Sequence, residues 1–148
     1  GLTDCFLTRI ESSTINGIPD IHAVSKNKIF WIELKSDELS FPALNKWQIV
    51  WINKYIKAGG TVFILKETLL KRSLKLYRPV SVFTDPRTLV PEISFSFPYQ
   101  WPTVQRHLLG EPFLPEAARS RSSSRTKPRS RLRTGDHRQP TGSSAGVL

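Results

Sequence analysis

Apolar and polar positions alternate through two neighbouring stretches, residues 17–24 (Gly-Ile-Pro-Asp-Ile-His-Ala-Val) and 28–35 (Lys-Ile-Phe-Trp-Ile-Glu-Leu-Lys). Both are rich in β-branched and aromatic residues, Gly17 and Pro19 punctuate the entry, and Ser25-Lys26-Asn27 separates them, which predicts two strands of a β-hairpin. Successive side chains on a strand point to opposite faces. Ile29, Trp31, Glu33 and Lys35 therefore share one face, with Phe30, Ile32 and Leu34 on the other, and Asp20, His22 and Val24 share a face of the first strand.

The rest of the pattern is coarser. Residues 4–11 suggest a strand before the hairpin. After it, Ser40 is placed to cap a helix over 41–58, with Pro42 in the first turn and Gly59-Gly60 as the stop. Helical periodicity puts Leu44, Trp51, Ile52 and Tyr55 on one apolar stripe, with Gln48 in its middle. Residues 61–65 (Thr-Val-Phe-Ile-Leu) form a short continuous apolar run, expected as a central strand parallel to the second hairpin strand. Leu74-Lys75-Leu76-Tyr77 and residues 80–83 are candidates for an edge strand. Prolines in 85–115 argue against a long helix or a central strand, so this Pro/aromatic-rich extension is expected to lie over the sheet as an extended cover, with a partner-binding surface as the alternative. Past residue 116 apolar residues nearly vanish, which predicts a disordered basic tail. The expected fold class is α/β: a mixed sheet with an antiparallel hairpin, a crossover helix and a central strand in residues 1–84.

The hairpin carries the candidate chemistry. With the turn centred on Lys26-Asn27, His22 falls opposite Trp31 and Asp20 opposite Glu33. Like charges paired across strands are destabilising. Two carboxylates kept there imply a cation between them, and Lys35, two residues along on the same face, places an ammonium beside it. That is a divalent-metal site suited to a phosphodiester. Gln48, an amide on a buried helix face, needs a partner; the neighbouring carboxylates could supply one, and a backbone edge is the alternative.

Gly17-x-Pro19-Asp20, a gap of twelve residues, then Glu33-x-Lys35 inside an apolar strand resembles the PD-(D/E)XK nuclease superfamily, and most of all its VRR-NUC-like and phage or homing endonuclease branches. The similarity runs over residues 9–65. It implies a restriction-endonuclease-like core and a magnesium-dependent endodeoxyribonuclease, with manganese as the alternative ion. It places Asp20, Glu33 and Lys35 on catalytic positions and matches Gln48 to a glutamine on the following helix. Asp20, Glu33 and the backbone carbonyl of Leu34 would hold the ion, and hydrolysis of DNA, double-stranded or branched, would leave 5′-phosphate and 3′-hydroxyl ends. The family also carries an acidic residue on an N-terminal helix that is not visible in this sequence, as though the beginning were missing. Glu11 is a candidate substitute ligand, and equally a solvated or Arg9-paired acid. The runner-up function is a nucleic-acid-binding module with an incomplete site.

Charge supports a polyanionic partner. The 148 residues carry a formal charge of +10, but residues 116–148 hold eight Arg or Lys against two acids. The remainder is only mildly basic. Lys66, Lys71, Arg72 and Lys75 form a basic cluster that either contacts DNA or is a solvated face. His22 is expected to pack on Trp31 rather than to serve as a ligand. The lone Cys5 excludes an intramolecular disulfide and a multi-cysteine zinc site, and is expected as a small core residue in an intracellular, cytoplasmic protein, encoded by a phage if the branch resemblance holds. Double-strand cutting by one-site subunits would call for a homodimer, although no residue pattern marks an interface. There is no Gly-x-Ser-x-Gly, no P-loop and no dinucleotide fingerprint, which removes those enzyme classes.

Overall fold

The structure is a computed structural model that describes residues 4–110. The chain separates into one unit spanning Gly1–Phe113 and a second spanning Leu114–Leu148. The second, with the basic tail, lies outside the described residues.

Among the described residues six strands form one sheet in sequence order: β1 (Phe6–Arg9), β2 (Ile21–Ser25), β3 (Lys28–Asp37), β4 (Val62–Thr68), β5 (Ser73–Tyr77) and β6 (Ile93–Ser96). Only β3 and β4 run parallel, and helix α1 (Lys46–Lys57) connects them. The other neighbours are antiparallel. The α/β architecture expected from the sequence is therefore present: motif hairpin, crossover helix, central strand.

The hairpin register follows from its turn. Lys26 and Asn27 both adopt positive φ, 48° and 64°, the backbone of the two-residue turns that match strand twist. The pairing is then Ile21↔Ile32, His22↔Trp31 and Ser25↔Lys28, as the turn-centred count requires. His22 tilts against the Trp31 ring with centroids 4.9 Å apart, the packing role expected of it. Cys5 packs against the core as a free thiol.

Alternation splits the core into two layers. On one face Trp31, Val62, Ile64 and Tyr77 meet Ile52, Trp51 and Tyr55 of α1, with Phe83 closing the cluster. Asn53 clamps that closure, donating to the Phe83 carbonyl at 2.6 Å and accepting from its N–H at 3.1 Å. On the other face Ala23, Phe30, Ile32, Phe63, Leu74 and Leu76 pack against Val104, Leu108 and Leu109 of α2 (Trp101–Leu109).

Two expectations are corrected here. Helix α1 starts at Lys46 and not at Phe41, because Asn45 is the cap: its side chain accepts from the Trp47 and Gln48 N–H groups at 2.9 and 3.0 Å. Ser40 instead offers its carbonyl to Lys75 at 3.1 Å. Second, the described part of 85–115 is not an extended cover. It supplies β6, which makes β5 an internal strand, and the core helix α2, while residues 80–83 form no strand. Pro102 is accommodated because it stands in the first turn of α2, where its missing N–H costs nothing.

Candidate active site

Glu33 lies on the α1 face of β3, one step beyond the Ile21↔Ile32 pair, with Lys35 two residues further along the same face. Asp20 stands immediately before β2 and is tied to β3 through its side chain. Its Oδ2 accepts from the Leu34 N–H at 2.7 Å, which places its charge close enough to act on the Glu33 carboxyl. The structure therefore brings Asp20 and Glu33 together as the hairpin count requires.

Glu33 is almost wholly buried, at 2% exposure. A buried carboxylate is costly unless it is paired and hydrogen-bonded. Two side chains meet that requirement: Lys35 Nζ lies 3.0 Å from Glu33 Oε1, and Gln48 Nε2 donates to the same oxygen. Burial still dominates. It pushes the Glu33 carboxyl up to about 7, against the lowering effect of the Lys35 ammonium, and the nearby Asp20 charge adds to the rise.

Gln48 is held from both sides. Its Oε1 accepts from Lys35 Nζ at 3.1 Å and from the Asn45 main-chain N–H at 3.0 Å. With two donors fixing Oε1, the amide has one orientation left, Nε2 toward Glu33. Both partners weighed for this glutamine are thus real: it completes the capping box that begins α1, and it bridges the acid and the amine on β3.

Gly17 lets the preceding loop close onto this corner. It has φ +85°, and a Cβ there would collide with the Trp47 carbonyl and the Gln48 nitrogen in the first turn of α1. Only glycine tolerates both the dihedral and the approach. The loop borders a cleft of about 700 Å³ that Arg9, Glu11, Ser12, Asn16 and Asp20 line.

Glu11 shares that cleft with Asp20, and its carboxylate lies 3.5 Å from Arg9 Nε, both side chains more than four-fifths exposed. Among the described residues no group of three or more His, Cys, Asp or Glu is arranged to hold a metal ion. The oxygens that could hold an ion at this corner are those of the Asp20 and Glu33 carboxylates. Two hard oxygen ligands fit magnesium, which is commonly bound through one or two carboxylates and keeps several waters, and do not fit a structural zinc.

The basic cluster divides. Lys66 is fully buried, and its ammonium donates to Asp37 Oδ1 at 2.6 Å, to the Asp37 carbonyl at 3.0 Å and to the Glu67 carbonyl at 2.7 Å. It is a structural tie between β3 and β4, with no proton left for DNA, and it holds the Asp37 carboxyl below the usual carboxylate range. Lys75 is partly buried against Ser40. Lys71 and Arg72 are exposed at the turn between β4 and β5. Two site-building residues escaped the sequence reading, Asn45 and Asp37. The Asn45-x-x-Gln48 spacing of a capping box was the available signal for the first; nothing in the apolar run around Lys66 marked it as Asp37's partner.

No protein-family profile matches the chain, and no curated protein matches it in sequence. Among solved structures, it is similar to an Archaeoglobus fulgidus Hjc, a Holliday junction resolvase from an archaeal hyperthermophile, at 16% identity and a TM-score of 0.40. The match covers 51% of this chain and 65% of that one, less than two thirds of the resolvase's length. A likeness of that size transfers neither substrate nor mechanism. No described helix is long and apolar enough to cross a membrane.

Proposed function

We propose that the protein is a divalent-metal-dependent endonuclease that hydrolyses DNA phosphodiester bonds, of the PD-(D/E)XK type that its Gly17–Lys35 motif resembles. One observation carries the reading: a buried glutamate, beside a second acid, held by a lysine and a glutamine that fix its orientation. Asp20 and Glu33, with the Leu34 carbonyl, would hold magnesium or manganese, and a bound ion there supplies charge neutralisation for the phosphoryl oxygens and a more acidic water. Lys35 places an ammonium where negative charge develops as water oxygen bonds to phosphorus. The bond from phosphorus to the 3′ oxygen breaks, the 3′ oxygen takes a proton, and the products are a 5′-phosphate and a 3′-hydroxyl. Gln48 keeps Glu33 and Lys35 in register through this change.

A second reading has its own support: a nucleic-acid-binding module of the same fold, favoured by the absence of any three-acid group among the described residues and by the pairing of Glu11 with Arg9. Nicking of supercoiled plasmid separates the two. The nuclease nicks with magnesium and stops with EDTA, and Asp20→Asn or Lys35→Ala lowers the rate at least a hundredfold while DNA retention on a filter persists. Full activity in either variant removes the assignment; binding without nicking by the wild type under all metals selects the second reading.

A further inference from the structure

The turn between β4 and β5 presents apolar side chains to solvent at a place the core does not explain. Leu70 is 84% exposed and Leu69 49%. Lys71 and Arg72 follow directly, both exposed. Beside them stand Phe97, 54% exposed, and Trp101, with Tyr99 edge-on to both rings. The Arg72 guanidinium lies 3.8 Å from the Phe97 ring centroid.

This tip is exposed yet pinned. The Leu70 N–H donates to both oxygens of Glu38 at 3.1 Å, and the Leu69 N–H to the Asp37 carbonyl at 3.3 Å. The Arg72 N–H donates to the Leu69 carbonyl at 3.1 Å, and the Phe97 N–H to the Arg72 carbonyl at 2.8 Å. Tyr99 anchors the aromatic side through its hydroxyl, 2.9 Å from Glu67 Oε1. A floppy turn could fold its leucines away from water; a turn tied at four main-chain groups holds Leu70 outward. The tip also belongs to the site's neighbourhood. Asp37, which binds it, ends the strand that carries Glu33 and Lys35.

We propose that this turn is a wedge for DNA whose base stacking is interrupted, at a branch, nick or flap: Leu70 enters the open step while Lys71 and Arg72, the latter steadied on the Phe97 ring, take the flanking phosphates and Trp101 offers a stacking face. Apolar side chains inserted between base steps, with cations on the adjacent backbone, are an established way of holding distorted DNA. A base pair in continuous duplex is already stacked on both sides, so insertion there costs unstacking that an interrupted step has already lost. Charge favours this occupant over an apolar protein partner, because the leucines are followed directly by two cations. The inference rests on the nuclease reading for its choice of DNA, and its test does not depend on cleavage.

The full chain is titrated in EDTA against a branched DNA and a linear duplex of the same sequence, with 2-aminopurine at the branch. The expected result is tighter binding to the branched DNA with a rise in 2-aminopurine fluorescence. Leu70→Ala reduces that preference roughly tenfold and removes the fluorescence rise, while linear-duplex affinity is retained. Lys71→Ala with Arg72→Ala weakens both DNAs alike and flattens the salt dependence. An unchanged branched-to-linear ratio in Leu70→Ala overturns the wedge, whether or not the protein nicks plasmid. So does light scattering in which Leu70→Ala converts a dimer to a monomer with DNA binding untouched, which would assign the tip to a second copy of the chain.

Discussion

At the scale of single residues, Glu33 is where the fold stores the cost of the site. Its carboxyl, pushed up to about 7 from 4.5 chiefly by burial, binds a proton more tightly in the folded than in the unfolded chain. The glutamate's contribution to stability is therefore fully present below about pH 4.5 and is lost as pH rises through 7. Over that window the loss approaches ~3 kcal/mol. Glu33→Gln keeps the shape and removes the titration. In EDTA the variant is expected to gain stability relative to the wild type as pH goes from 5 to 8, read by urea unfolding at each pH. Magnesium added at pH 8 then raises the melting temperature of the wild type and not of the variant. A wild-type-to-variant difference that is flat with pH would show that the carboxylate is not buried as a charge at all.

At the scale of elements, the start of α1 and the shape of the site are one feature. The cap side chain of Asn45 fixes the first turn, its main-chain N–H fixes the Gln48 carbonyl oxygen, and the Gln48 amide then reaches Glu33. Asn45→Ala is expected to cost about 1 kcal/mol of stability, the usual worth of a helix cap. It should also lower the nicking rate beyond what that loss explains, because Gln48 rides on the turn. Asn45→Ser, which caps as well, should restore both. The control is Asp85→Ala, which removes a cap of the same kind from the short 3-10 turn Pro86–Thr88. Equal effects of the two alanine variants on the rate would reduce Asn45 to a purely local stabiliser.

The sequence showed unequal parts of these elements. Hairpin register was legible because Lys26-Asn27 fixes the turn and a period of two leaves no freedom in which residues share a face. From that register alone Asp20, Glu33 and Lys35 could be brought together. The start of α1 was not, because Ser40 and Pro42 mimic a helix entry five residues early, and local cap chemistry cannot say which of two good caps the packing selects. Lys66 misled for a different reason. A lysine beside other basic residues looks solvated, and its burial follows from where the Asp37 carboxylate lands, which only the β3–β4 pairing decides.

At the scale of the whole molecule, the sheet works as a platform only because both faces are covered. Helix α1 covers the face that carries Glu33, and α2 covers the other from a segment whose prolines obscure its helix. Val104, Leu108 and Leu109 recur at helical spacing behind Pro102, and all three are buried against Phe30, Ile32, Phe63 and Leu76. Phe30, Ile32 and Leu34 alternate with Trp31, Glu33 and Lys35 on the same strand. Loosening the α2 layer therefore loosens the strand that aims the site. Leu108→Ala is expected to cost ~2–5 kcal/mol, the range for truncating a buried leucine. The check is the urea midpoint of the full chain. A midpoint unchanged within error would mean that residues 101–109 lie on the protein without holding it, and the face opposite the site would need another cover.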